Sequence, residues 1–273
     1  MTNVVIGAAS GMGAAVARKL ASRGKLIVAD FNFAGAEKIA AELGGDVIAM
    51  QCDISDQAQV DALMAEVQNL EALVITAGLS GSQAPGRRIL EVNLAGVERV
   101  VRAAEPLLQE GSVGILTASQ SGYMVPDTPE LFAVIDDPMA PDLIDRILDF
   151  VNINEAGLAY QLSKRGVHRM ARRHARAWGA RGARILSVSP GINDTPMNHH
   201  EEASHPVMGE MIKKCPLRRR GTPEEIANVI AFLTSPEAGY MTGSDVLVDG
   251  GMATVLPTTS WIGKIRIPEK ENA

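Results

Sequence analysis

Residues 4–16 read Val4-Val5-Ile6-Gly7-Ala8-Ala9-Ser10-Gly11-Met12-Gly13-Ala14-Ala15-Val16. The β-branched run over 3–6 predicts a buried strand, and the Ala-rich stretch over 12–23 predicts a helix. Between them the glycines stand as Gly7-x3-Gly11-x-Gly13. Glycines at such a turn let a backbone approach a pyrophosphate, while the following helix N-terminus faces its negative charge. The segment therefore predicts a dinucleotide site, with Gly7, Ser10, Gly11, Met12 and Gly13 at the phosphates.

Outward from this unit the same alternation continues. Apolar β-like runs fall at 26–29, 47–50, 72–75, 113–117, 184–189 and 245–248, and helical stretches at 34–43, 57–68, 88–109, 156–180 and 223–234. Near-continuous apolar strands separated by helices imply a parallel sheet covered on both faces. The expected architecture is one α/β domain over 1–256, a Rossmann-like doubly wound parallel sheet of seven strands, followed by a tail over 257–273. Trp261, Ile262, Ile265 and Ile267 make the tail apolar enough to pack on a partner subunit.

Two segments break the alternation. The stretch 123–155 carries four Pro and an acidic bias, and Leu143, Ile144, Ile147, Leu148 and Val151 recur at helical spacing. One face of this insertion seeks a partner surface. The stretch 192–215 is rich in Met, His and charge and follows a strand end. It is expected to form a substrate lid, with Met197, Met208 and Met211 offering adaptable apolar contact.

Composition excludes other classes. The chain has 273 residues, 26 Lys+Arg against 32 Asp+Glu, 46% hydrophobic and 4% aromatic residues. A core is affordable, and net acidity with few aromatics argues against a nucleic-acid partner. No window is long and apolar enough for a membrane span, and no basic, apolar leader precedes the first strand. Cys52 and Cys215 read as two free thiols in a reducing cytoplasm. His199, His200 and His205 lack a supporting carboxylate framework, so no metal is expected. Arg218-Arg219-Arg220 reads as a solvated basic turn.

Individual residues narrow the chemistry. Asp30 ends the second strand, where a carboxylate accepts from adenosine ribose hydroxyls and repels a 2′-phosphate; Ser10, not Arg or Lys, precedes Gly11. Both features favour NAD. Asp53 follows the third strand and suits either a helix cap or the adenine edge. Tyr160 and Lys164 lie four residues apart in a helical stretch and so share a face. A neighbouring ammonium, together with an oxidised nicotinamide, would favour phenolate and fit Tyr160 for proton transfer. Ser119 follows the strand 113–117 at the sheet edge that binds ligands, with Ser121 as a nearby competitor. Asn93 inside a helical pattern signals a distortion or a polar role. Of the other two tyrosines, Tyr123 is placed to face the pocket and Tyr240 reads as packing.

In these motifs, with Thr76-Ala77-Gly78, Pro190-Gly191, Thr195 and Asp249-Gly250-Gly251, the chain resembles the short-chain dehydrogenase/reductases over about 3–256. The resemblance implies Tyr160 as general acid/base, Lys164 on the nicotinamide ribose and Ser119 on the substrate oxygen. It further implies Asn93 holding a relay water, Thr195 and Ile192 at the carboxamide, and Asp53 with Ile54 near the adenine. Ala77, Gly78, Pro190 and Gly191 complete the cofactor wall. Ile6 and Thr76 depart from the usual residues and are expected to soften local hydrogen bonding. The long interval from Ser119 to Tyr160, with Gly157-Leu158-Ala159-Tyr160, looks like the 3α-hydroxysteroid dehydrogenase/carbonyl reductase branch.

The function implied is interconversion of a secondary alcohol and a ketone on a bulky apolar molecule. A homo-oligomer, dimer or tetramer, is expected, with the insertion replacing, remodelling or blocking an interface. The competing readings are a 3-oxoacyl thioester reductase, which Asp30 disfavours if NADPH is needed, and a non-catalytic NAD-sensing module, which the intact Tyr160–Lys164 pair disfavours.

Overall fold

The computed structural model describes residues 1–205, 207–256 and 261–267. Seven strands form one sheet: β1 Thr2–Ile6, β2 Lys25–Asp30, β3 Val47–Gln51, β4 Leu70–Ile75, β5 Val113–Thr117, β6 Arg184–Pro190 and β7 Asp245–Val248. Their order is β3-β2-β1-β4-β5-β6-β7 and every pair is parallel. The order reverses direction between β1 and β4, which opens a crevice at their carboxyl ends. The doubly wound fold expected from the alternation is the fold found.

The helices are α1 Gly11–Leu20, α2 Phe33–Leu43, α3 Gln57–Ala65, α4 Gly86–Leu90, α5 Val97–Ala104, α6 Pro129–Ile135, α7 Leu143–Leu148, α8 Ala156–Gly179, α9 Pro196–Ser204, α10 Val207–Lys214 and α11 Pro223–Leu233. On one face of the sheet α1 and α11 bury Val16, Leu20, Ile226 and Ile230 against Val5, Val28 and Val74. On the other, α3, α5 and α8 bury Val60, Val100, Leu162 and Val167 against Ile6, Leu73 and Leu116. Central strands β1 and β5 are buried throughout, whereas edge strands β3 and β7 are only partly covered. Gly114 in β5 has a structural reason: a Cβ there would fall 2.7 Å from the ring of the fully buried Trp178.

Three expectations are corrected. The helix over 88–109 is broken, because a π-helical turn over Glu91–Gly96 separates α4 from α5. Tyr240 does not pack in the chain; it is fully exposed. The tail does not leave its large aromatic for a partner: Trp261 is buried in the chain's own core, while Ile262 and Ile267 are exposed. The rest of the tail, 257–260 and 268–273, lies outside the described residues.

The insertion finds its partner surface within the chain. Leu131, Phe132, Ile135, Leu143, Ile147 and Val151 join the core shared with α8. Phe132 lies under the guanidinium of Arg169, 4.3 Å from its ring centre, and Arg169 pairs with Asp136. Val151 forms an antiparallel bridge with Ile265. Cys52 and Cys215 are buried and unpaired, and burial pushes the Cys52 thiol up to about 12. Among the described residues no helix is long and apolar enough to cross a membrane.

Candidate active site

Two cavities meet above the β1/β4 switch point. The first, of about 590 Å³, is lined by Gly7, Ser10, Gly11, Met12, Gly13, Asp30, Asp53, Ile54, Ala77, Gly78 and Thr195, with Phe31, Thr76 and Arg88. Gly7 has a φ of +89°, and a Cβ there would lie 2.4 Å from the Ala77 nitrogen. A Cβ on Gly13 would lie 2.0 Å from the Gly7 carbonyl oxygen. Only bare backbone lets β1, β4 and the start of α1 converge so closely. That convergence leaves the α1 N-terminus facing open space beside the exposed Ser10, whose hydroxyl makes no capping bond. A cradle with this positive end and a carboxylate at its far side fits the pyrophosphate and adenosine of a dinucleotide.

Asp30 shapes the cradle as well as lining it. Its Oδ2 accepts from the Ala9 amide at 2.9 Å and its Oδ1 from the Asn32 amide at 2.8 Å. A carboxylate has roughly four lone-pair positions, so each oxygen retains capacity for a ribose hydroxyl. Asp53 is not a helix cap; Asp56 caps α3 instead, accepting from the Ala58 and Gln59 amides. Asp53 takes hydrogen bonds from Ser55 and from Arg88, which outweigh its burial and hold its carboxyl below the usual range. Thr76 does not soften the turn as expected: its hydroxyl donates toward the Ile6 and Gly7 carbonyls at 3.0 and 3.1 Å.

The second cavity, of about 350 Å³, shares Met12, Thr76, Gly78, Leu79, Thr195 and Met197 with the first. It brings together Ser119, Tyr160, Lys164, Pro190, Gly191 and Ile192. Ser119 ends β5's continuation, Tyr160 and Lys164 lie on α8, and the last three leave β6. Ser119 Oγ accepts from the Ser121 amide at 3.2 Å and the Ser121 hydroxyl at 3.0 Å. With its acceptor side engaged, its own proton is left to point into the cavity. Ser121 therefore supports Ser119 rather than replacing it. Lys164 is buried, its Nζ donates to the Thr117 carbonyl at 3.0 Å, and burial lowers it to about 8. Burial raises the Tyr160 phenol, the facing Ser119 hydroxyl lowers it, and the charge of Glu201 raises it again. In the chain by itself the phenol is thus held protonated.

The geometry leaves Asn93 outside the cavity walls. Its side chain is fully buried and clamps Leu79: Oδ1 accepts from the Leu79 amide and Nδ2 donates to the Leu79 carbonyl, both at 2.8 Å. This clamp sits within the π turn, so the distortion and the polar role are one feature. Tyr123 does not face the pocket. Its hydroxyl donates to Asp245 at 2.7 Å and its ring packs on His168.

Helices α9 and α10 cover the second cavity with Met197, Met208 and Met211. They also bring Glu201, which sequence reasoning missed. Arg88, Phe31 and Gln161 were missed likewise. None belongs to a spaced motif; the periodicity of α9 alone would have grouped Glu201 with Met197. Among the described residues no three His, Cys, Asp or Glu side chains gather as a metal site.

Comparison with known proteins agrees with this geometry. The short chain dehydrogenase family model matches residues 2–128, and the model described as enoyl-(acyl carrier protein) reductase matches 148–253. The cis-4-hydroxycyclohexanecarboxylate dehydrogenase of Sinomonas cyclohexanicum is 33% identical, covering 92% of this chain and 96% of its own. The 3-alpha-hydroxysteroid dehydrogenase/carbonyl reductase of Comamonas testosteroni is 30% identical, covering 94% and 98%. A solved structure of BdcA in complex with NADPH is 26% identical with a TM-score of 0.73, covering 92% and 93%. The chain belongs to the short-chain dehydrogenase/reductase family, oxidoreductases that use a nicotinamide cofactor on alcohols and ketones.

Proposed function

We propose that this protein is an NAD-dependent oxidoreductase that interconverts a secondary alcohol and a ketone on a bulky, mainly apolar molecule. The observation that carries the reading is the shared wall. Ser119, Tyr160 and Lys164 line a cavity that opens, through Gly78 and Thr195, into the glycine-lined cradle. When bound, the cofactor supplies or accepts hydride; the chain's own residues handle the oxygen. Ser119 donates to the substrate oxygen as negative charge grows on it. Tyr160 gives its proton to that oxygen in reduction and removes it in oxidation. Lys164, fixed by Thr117, holds positive charge beside the phenol and its Nζ near the cradle. Asn93 keeps the 79–80 wall in place and would thereby order a relay water. The segment 192–215 acts as a lid that excludes water.

NAD is favoured over NADP by Asp30 at the ribose end, which would repel a 2′-phosphate. Arg88, the cation in that cavity, is already matched by Asp53 at 2.9 Å and Glu91 at 3.6 Å. The apolar walls, with Met12, Leu79, Met124, Ile192, Met208, Met211 and Leu256, support a bulky ring-bearing substrate. We further propose a cytoplasmic homo-oligomer, dimer or tetramer, with residues 1–256 as its catalytic domain.

The test is turnover of cyclic and steroid ketones with NADH or NADPH by the wild type and Tyr160→Phe. The expected loss in the variant is at least about 100-fold, with NADH binding retained. Equal turnover overturns the role of Tyr160, and tighter binding of NADPH overturns the choice of NAD.

A further inference from the structure

Resting on that reading, we propose that Glu201 sets the charge selectivity of the substrate cavity: it turns away anionic substrates and accepts a hydrogen bond from a second hydroxyl or an amine on the substrate. Glu201 lies on α9 and lines the cavity that holds Tyr160. Its Oε2 accepts from the Ser82 amide at 3.1 Å and the Ser82 hydroxyl at 2.5 Å. Its Oε1 has the His205 ring nitrogen at 3.3 Å. Three contacts leave a carboxylate with acceptor capacity in hand, and the side chain is fastened by Ser82, which lies outside the cavity wall, and by His205, which shares that wall with it. Burial would raise its carboxyl, but Ser82, Ser80 and His205 hold it below the usual range, so it is charged at neutral pH. That charge reaches the reaction centre, where it pushes the Tyr160 phenol up.

The one ammonium among the other described lining residues, Lys164, is tied to the Thr117 carbonyl and committed to the reaction centre, so the walls offer an anion no counter-charge of its own. Among the described lining residues no arginine is present; Lys164 donates to Thr117, and His205 stands beside Glu201 itself. A substrate carboxylate would lose water on entry, meet a like charge, and find no guanidinium. A hydroxyl or ammonium on the same skeleton would instead find a charge-assisted acceptor. The apolar remainder of the cavity takes the ring.

The test uses NAD and a matched series of cyclohexanols bearing at C4 a carboxylate, a hydroxymethyl or an aminomethyl group, with unsubstituted cyclohexanol as reference. Wild type is expected to favour hydroxymethyl over carboxylate by at least about tenfold in kcat/KM, chiefly through KM. Glu201→Gln keeps an oxygen for Ser82 and removes the charge; the preference is expected to shrink about tenfold and the advantage of the aminomethyl compound to vanish. Ser82→Ala removes the fastening and keeps the charge, and is expected to preserve the preference. An unchanged ratio in Glu201→Gln, or loss of the ratio in both variants alike, overturns the selectivity role. Turnover of no alcohol in the series by wild type that still binds NAD overturns the secondary-alcohol reading itself, and the proposal with it.

Discussion

Lys164 gives its ammonium to the carbonyl oxygen of Thr117 at 3.0 Å, and so ties the middle of α8 to the end of β5. Burial opposes that charge. A fall from 10.5 to about 8 corresponds to about 3 kcal/mol of penalty on the charged form. The loss of one charge-assisted hydrogen bond to Thr117, about 1.5–3 kcal/mol, does not exceed it. Lys164→Met is therefore expected to leave Tm unchanged or raised while kcat/KM falls at least about 100-fold. Thermal denaturation beside steady-state kinetics checks this; a clear drop in Tm would show the lysine to be structural.

Asn93 is a case of the opposite kind. Asn93→Ala leaves both the Leu79 amide and carbonyl without their partner, an expected cost of about 2 kcal/mol. Asn93→Asp keeps the acceptor for the amide but sets a second oxygen against the carbonyl, and should be the less stable of the two. Urea unfolding ranks them.

Gly13→Ala would place its Cβ 2.0 Å from the Gly7 oxygen and 2.5 Å from Thr76 Oγ1. Neither neighbour is the free end of a flexible chain, so the cradle must open. Calorimetric titration should show NADH affinity reduced at least about tenfold, since each 1.4 kcal/mol of misfit is a factor of ten.

Acid should act through Glu98. Burial alone would raise this carboxyl, but His174, Arg173 and Arg102 bring it to about 2 from its ordinary 4.5. The stabilisation is present above about 4.5 and is lost as pH falls toward 2. Glu98→Gln should cost roughly 1.5–3 kcal/mol at pH 7 and roughly half as much at pH 3, vanishing only as pH nears 2. A cost independent of pH would contradict the pairing.

Much of this was legible in the sequence because it depends on local rules. The Gly7–Gly13 turn, the Tyr160–Lys164 spacing and the strand periodicities each follow from backbone geometry within a few residues. What was hidden involves contacts remote along the chain. Glu201 reaches Ser82 across 119 positions, and Tyr123 reaches Asp245 across 122. The π turn around Asn93 was visible only as a poor helix former, because the backbone that its side chain bonds, at Leu79, lies 14 positions away. The insertion showed its apolar face but not its partner, since a face that fits α8 reads the same as one that fits another subunit.

The bond from Trp261 Nε1 to Gln161 Oε1, 2.6 Å long, joins residues 100 positions apart, and Gln161 is the neighbour of Tyr160. With Val151 bridged to Ile265 and Lys264 paired to Glu155, the start of α8 is fastened by chain made long after it. During synthesis β1 to β5 and the glycine turn are made while that helix start is still unfastened. Contacts of such separation close late and set the pace of folding. The nascent chain thus carries its glycine turn long before it can fasten the helix start beside Tyr160.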